Sequence, residues 1–186
     1  MSNQALKSLL TLEEYLHHEE LSDIRHEYIQ GQVYAMSGGS REHDLISGNI
    51  YIALRTHLDG GRCQVFSGNM KVRIKHLDLF YYPDVSVTCN PQDQEKYFLE
   101  SPCLIVEVLS PSTERIDRQE KLSNYRELES LQEYLLVSQT EKKVEVYRRG
   151  DQGEWNLETF YQEDIVELQS VGLQLPLSEI YKQVAL

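Results

Sequence analysis

The chain has 186 residues, 40% apolar and 26% charged, which suits one domain (residues 1–186) with a sizeable core. That composition excludes disordered, collagen-like and low-complexity chains. The formal charge of −12 excludes gripping nucleic acid through an overall positive surface, so such a role needs a local patch, a metal ion or a basic partner.

From the N-terminus, Met1-Ser2-Asn3-Gln4 lacks the basic end and apolar run of a signal peptide. No later stretch reaches the roughly 20 apolar residues of a membrane span. A cytoplasmic protein with no membrane partner is expected. Thr11 followed by Glu14 is a capping box that opens a helix over about residues 12–20. Two β-rich runs, 24–29 and 32–36, flank Gln30-Gly31 and predict a hairpin. After a break at Ser37-Gly38-Gly39, Ser40 can cap a second helix, in which Ile46, Ile50, Ala53, Leu54 and His57 recur at helical spacing. Asp59-Gly60-Gly61 ends that helix. Strands are predicted at 63–66, 70–74, 80–88 and 103–109, then a charged helix at about 117–129. Further strands at 134–137, 144–147 and 155–161 precede a short helix at 177–181. The pattern is α/β, a mixed central β-sheet flanked by helices, with an N-terminal helix and hairpin.

Cys63, Cys89 and Cys103 are an odd number with no Cys-x-x-Cys pair. Each lies in an apolar stretch, so buried free thiols are expected, with no thiolate metal site.

The chemistry concentrates in Cys103-Leu104-Ile105-Val106-Glu107-Val108-Leu109, which reads as a central strand buried on both faces. A carboxylate there costs several kcal/mol or more unless it is paired, protonated or bound to a metal. Glu107 is therefore either half of a structural ion pair with an arginine or a metal ligand. Asp84 is a candidate partner, because Pro83 cannot donate to a β ladder and can aim the next side chain out of the pleat. A Pro-Asp turn at a strand start is the plainer reading. Asp117, Lys121 and Tyr125 are spaced by four along one helix face, with Leu122, Tyr125 and Leu128 as its buried stripe. Lys121 borders the sheet side, from where its side chain could reach the strand ends. As a solvated partner of Asp117 it would need no other role.

In this order, Pro83-Asp84, Glu107-Val108-Leu109 and a helix carrying Lys121 resemble the PD-(D/E)XK nuclease superfamily. More closely, the chain resembles the Uma-two family of restriction-endonuclease-like proteins. The resemblance runs from about Leu12 to the C-terminal helix. It rests on His26-Glu27-Tyr28-Ile29-Gln30-Gly31-Gln32-Val33, His43, Tyr82-Pro83-Asp84-Val85 and Val106-Glu107-Val108-Leu109-Ser110-Pro111-Ser112-Thr113. Asp117-x-x-x-Lys121-x-x-x-Tyr125 and Glu133-Tyr134-Leu135-Leu136-Val137 complete it. The superfamily's Glu-x-Lys lysine would stand at 109, where this chain has Leu109, and the closer resemblance puts that role on Lys121.

The resemblance implies a restriction-endonuclease-like core and a metal-dependent endonuclease acting on DNA. Asp84 and Glu107, with Glu27, would hold Mg²⁺ or Mn²⁺, and Lys121 would serve the attacking water or the developing charge. Glu27 otherwise reads as an exposed strand carboxylate, and His43 as a helix-start residue packing locally. His43, Asp117 and Tyr125 are accessory candidates. His17-His18 reads as a solvated helix surface. A homodimer would pair two sites for double-strand cutting. Gly-x-Ser-x-Gly, a phosphate loop, Gly-x-Gly-x-x-Gly and His-Glu-x-x-His are all absent. The rival reading is a catalytically silent nucleic-acid-binding or interaction module that keeps the nuclease fold.

Overall fold

A computed structural model describes residues 9–186 of the chain; Met1-Ser2-Asn3-Gln4 lies outside them. Helix α1 (Leu12–Leu21) opens with the expected capping box: Thr11 N donates to Glu14 Oε2 at 2.8 Å and Glu14 N to Thr11 Oγ1 at 3.3 Å. Strands β1 (His26–Ile29) and β2 (Gln32–Ala35) pair antiparallel about Gln30-Gly31, whose φ values of 48° and 89° both lie in the left-handed region. Two positive φ angles mark the turn whose twist matches its strands. Helix α2 (Arg41–His57) is capped by Ser40, which accepts from His43 N. Strands β3 (Gln64–Ser67) and β4 (Lys71–Ile74) follow.

The strand predicted over 80–88 is two strands, β5 (Leu79–Tyr81) and β6 (Val85–Thr88), and they belong to different sheets. Pro83 is the physical cause: without an N–H it cannot continue the ladder, so the chain leaves one sheet and enters the next. The very short β7 (Phe98–Leu99) precedes the long β8 (Pro102–Leu109). The predicted helix over 117–129 starts earlier and ends sooner. It comprises α3 (Glu114–Ile116), a π-helical segment Asp117–Lys121 and α4 (Leu122–Tyr125). Strands β9 (Glu133–Ser138), β10 (Lys143–Arg149) and β11 (Trp155–Tyr161) precede a hairpin that the sequence pattern did not reveal, β12 (Ile165–Leu168) with β13 (Leu173–Pro176). Helix α5 (Leu177–Ile180) follows.

One mixed sheet was expected, and six strands form it in the order β11-β10-β9-β8-β6-β3, with β8 and β9 parallel. A second sheet runs β2-β1-β5-β4-β7. Alternation along β8 divides the core. Leu104, Val106 and Val108 face α2 and α5 with Ile46, Ile50, Leu54 and Ile180. Ile105 and Leu109 face the other way, onto Leu122, Tyr125, Tyr134, Val72 and Tyr81. Each such buried aliphatic side chain contributes about 1.5–3 kcal/mol. On the outside of the five-stranded sheet, Tyr15 of α1 packs with Tyr28, Phe80 and Phe98.

The expectation of three free thiols is corrected. The β3–β6 register sets Gln64 against Thr88, so the next pair outward is Cys63 and Cys89, and these form a disulfide. Only Cys103 is a free cysteine among the described residues, its thiol pushed up to about 11 by burial. Nothing in the spacing of the three cysteines shows that two of them sit opposite one another across a ladder.

Candidate active site

Four elements converge between the two sheets. Strand β1 alternates, sending His26 and Tyr28 toward α1 and Glu27 inward. Strand β8 places Glu107 on the same face as Ile105 and Leu109, toward the helical segment. The β6–β8 register pairs Val85 with Val106, and its continuation sets Asp84 opposite Glu107. Asp84 caps that end of the ladder: its Oδ2 accepts from Val108 N at 2.7 Å and lies 3.1 Å from His43 Nε2. Within the π-helical segment, the wide turn carries Asp117 and Lys121 into the protein, at 2% and 6% exposure.

Lys121 is the hub. Its Nζ lies 2.9 Å from Glu27 Oε1, 3.0 Å from Glu107 Oε1 and 3.3 Å from Asp117 Oδ1, and 5.5 Å above the Tyr81 ring. Tyr125 donates to the same Glu107 oxygen at 3.3 Å, and Tyr134 donates to the Asp117 carbonyl at 3.1 Å. Glu27 Oε1 and Asp117 Oδ1 are sealed from solvent without a hydrogen bond of good geometry, although both lie within ion-pair distance of Nζ. One ammonium cannot align its three protons with every carboxylate around it.

The electrostatics follow from that surplus of acid. Burial pushes the Glu107 carboxyl well above the ordinary carboxylate range; Lys121 opposes this, while Asp117, Asp84 and Glu27 reinforce it. Burial alone would lower Lys121, but Glu107, Glu27, Tyr125 and Asp117 hold it well above its usual value. Both shifts run the same way, and the cluster retains protons. His43 behaves similarly: burial works against its charge, yet Asp84 raises it.

The structure brings Glu27, Glu107, Asp117, Lys121 and Tyr125 into mutual contact, with Asp84 and His43 alongside. Lys121 is not a solvated partner of Asp117, and Glu107 pairs with a lysine, not an arginine. The expected trio of metal ligands is less tightly gathered. Among the described residues, Asp84, Glu107 and Glu27 are not a group whose donor atoms all fall within 4.8 Å of one another. The sequence places Tyr81 and Tyr134 within strands and assigns neither a role at the site. Their places beside Lys121 and Asp117 depend on which sheet face each occupies, and strand composition does not carry that.

The comparisons with known proteins agree with this architecture. A family model, Uma2, described as "Putative restriction endonuclease", matches residues 12–178. An uncharacterized protein of Synechocystis sp. is 43% identical over 177 residues, covering 95% of this chain and 93% of its own length. A second uncharacterized Synechocystis protein is 32% identical over 156 residues, covering 82% of this chain and 88% of its own. A crystal structure titled as a putative nuclease belonging to DUF820 from Anabaena variabilis superposes with a TM-score of 0.77. It shares 21% identity, and the match covers 95% of this chain and 99% of that one. The fold is the mixed α/β, restriction-endonuclease-like one that the motifs implied.

Proposed function

The chain belongs to the Uma2 family, and from that premise we propose that it is a divalent-metal-dependent endonuclease hydrolysing phosphodiester bonds in DNA. One observation carries the reading: the β6–β8 register, continued past Val85, sets Asp84 opposite Glu107, with a buried lysine 3.0 Å from Glu107. A strand pair that ends in two acids beside a sequestered ammonium is costly to fold and serves no packing purpose.

The residues suit a hard divalent cation. Asp84, Glu107 and Glu27 offer only oxygen donors, which Mg²⁺ and Mn²⁺ prefer. Among the described residues, Asp84 Oδ1 and Glu107 Oε2 take no hydrogen bond or ion pair. Glu27 Oε1 is buried without a well-aligned donor. These three carboxylates would hold the ion, and the ion when bound supplies an activated water and positive charge at the scissile phosphate.

The protein's own groups divide the remaining work. Lys121, held charged by its acidic neighbours, neutralises charge near Glu107 and is a poor proton acceptor. Asp117 and Tyr125 keep it in place. His43 and Val108 N both contact Asp84 Oδ2 and fix that carboxylate in place. Since the chain carries a net charge of −12, a cation at the site also gives a phosphate a local reason to approach.

The test is cleavage of defined single- and double-stranded DNA with Mg²⁺, Mn²⁺ or chelator, by wild type, Asp84→Asn and Lys121→Ala. Asp84→Asn should abolish cleavage, and Lys121→Ala should lower turnover of the folded fraction by roughly 10²-fold or more. Cutting that survives chelation, or near wild-type rates in either variant, would overturn the assignment. The silent-module reading has one observation in its favour: Lys121 already supplies a counter-charge to three carboxylates. It would be supported by DNA binding without metal-dependent cleavage.

A further inference from the structure

On the other side of β1 lies a second constellation, which the nuclease chemistry does not use. His18 and Glu19 stand in the last turn of α1, and His26 opens β1. Donor atoms of the three lie within 4.8 Å of one another, and they are the only such trio of histidine, cysteine or acidic residues among the described residues. We propose that His18, Glu19 and His26 form a binding site for a transition-metal ion of the zinc class.

Glu19 is pre-set for this role. Its side chain is 3% exposed, and its Oε1 accepts from His26 N and from the Tyr82 hydroxyl, each at 2.8 Å. That leaves Oε2, which lies 2.9 Å from His26 Nδ1. The His18 ring stands 5.3 Å from the His26 ring at an interplanar angle of 69°, and it makes no hydrogen bond among the described residues. Lys71 sits 5.4 Å from the Tyr82 ring and forms no salt bridge with Glu19.

Two imidazoles and a carboxylate, with a further position open to water through exposed His18, are the donor set that Zn²⁺ takes. The same set disfavours Mg²⁺, which wants oxygen ligands and keeps its waters. The ion would replace the proton shared by His26 and Glu19, and that proton passes to solvent. An ion pair between Glu19 and His26 explains those two residues by themselves. It does not explain His18, an imidazole beside the pair with no other partner among the described residues.

The location gives the site a consequence. His26 adjoins Glu27, and Tyr82 stands two residues before Asp84. A bound ion would clip α1 to the backbone that presents two carboxylates to the interior. Binding of zinc there does not depend on the nuclease assignment.

The test is calorimetric titration of Zn²⁺ into the full chain, with excess Mg²⁺ present to occupy all-oxygen sites. Wild type, His17→Ala and Glu107→Gln should each take up one Zn²⁺ per chain, with a rise in Tm. His18→Ala, a change at an exposed position, should bind at least tenfold more weakly and lose that rise. Absence of one-to-one binding by the wild type would overturn the proposal, as would wild-type affinity in His18→Ala. Loss of binding in Glu107→Gln with retention in His18→Ala would place the ion in the other cluster and overturn it too.

Discussion

Glu107 and Glu133 are both carboxylates buried in strands of one sheet, and their partners make them chemically unlike. Glu133 is fully served: Oε1 takes Arg148 Nε at 3.0 Å and Gln169 N at 3.1 Å, and Oε2 takes Ser170 N at 2.9 Å and the Ser170 hydroxyl. Glu107 instead shares one ammonium with Glu27 and Asp117. Glu133→Ala should therefore cost about 3–5 kcal/mol in urea unfolding, as expected when a buried pair is broken. Glu107→Gln mimics the protonated acid that burial favours, so its metal-free stability should change by less than about 1 kcal/mol while activity is lost. The pH dependence separates them further. Glu107 is raised above its ordinary value of 4.5, so its stabilising contribution is complete below pH 4.5 and is lost as pH rises through its folded value. Over that rise the metal-free wild type should lose stability relative to Glu107→Gln. Parallel curves in the two proteins would show that Glu107 is ionised throughout. Lys121 is subject to the same reasoning. As an exposed partner of Asp117 its loss would cost a few tenths of a kcal/mol, but buried between Glu27 and Asp117 its removal leaves carboxylates without a counter-charge.

Among the elements, the β1–β2 hairpin does the most with the fewest residues, because its turn fixes which side of the sheet Glu27 meets. A slip of one residue would exchange Glu27 with His26 and empty both clusters at once. Gly31 holds the turn at φ 89°, and an added Cβ would stand 3.1 Å from Leu9 Cβ and 3.3 Å from the Leu10 carbonyl oxygen. Gly31→Ala should destabilise by roughly 1–2 kcal/mol from backbone strain, with crowding in addition. Gly60, at φ 71° with nothing within 4 Å of an added Cβ, carries the strain without the crowding. Denaturant midpoints for the two alanine variants should differ, with Gly31→Ala the lower. Equal midpoints would mean that the Leu9–Leu10 segment yields freely. The segment 114–125 shows the reverse situation, an element whose presence is legible and whose form is not. The spacing by four of Asp117, Lys121 and Tyr125 identifies a helix face, but the π turn that carries two charged residues inward is stabilised by contacts such as Tyr134 to the Asp117 carbonyl.

At the scale of the whole molecule, the six-stranded sheet carries its acids and its disulfide at opposite ends of β6. Asp84 precedes the strand and Cys89 follows it. The cross-link spans 26 residues, so loop-closure entropy assigns it about 3.5 kcal/mol. Cys63→Ser should lower unfolding stability by up to that amount and leave the proposed DNA cleavage unchanged at temperatures where the variant stays folded. A loss of cleavage by the folded variant would mean that the far end of the β3–β6 ladder controls the placing of Asp84. Among the described residues, no helix is long and apolar enough to cross a membrane, in keeping with the hydropathy of the sequence.

The sequence by itself determined the features that short-range physics decides. A threonine and a glutamate three residues apart build the cap on α1, Gln30-Gly31 makes the tight turn, and an apolar run around Glu107 makes a buried strand. The order of Asp84, Glu107 and Lys121 pointed to the family and to the fold. Tertiary structure alone decided that Pro83 separates two sheets, that Cys63 faces Cys89, and that Lys121 sits among three carboxylates instead of in water. It also decided that His18 and His26 share Glu19. Caps, turns and alternation are set by neighbours within a few residues. Burial and charge pairing are set by groups such as Glu27 and Lys121, which only the folded sheets and helices bring together.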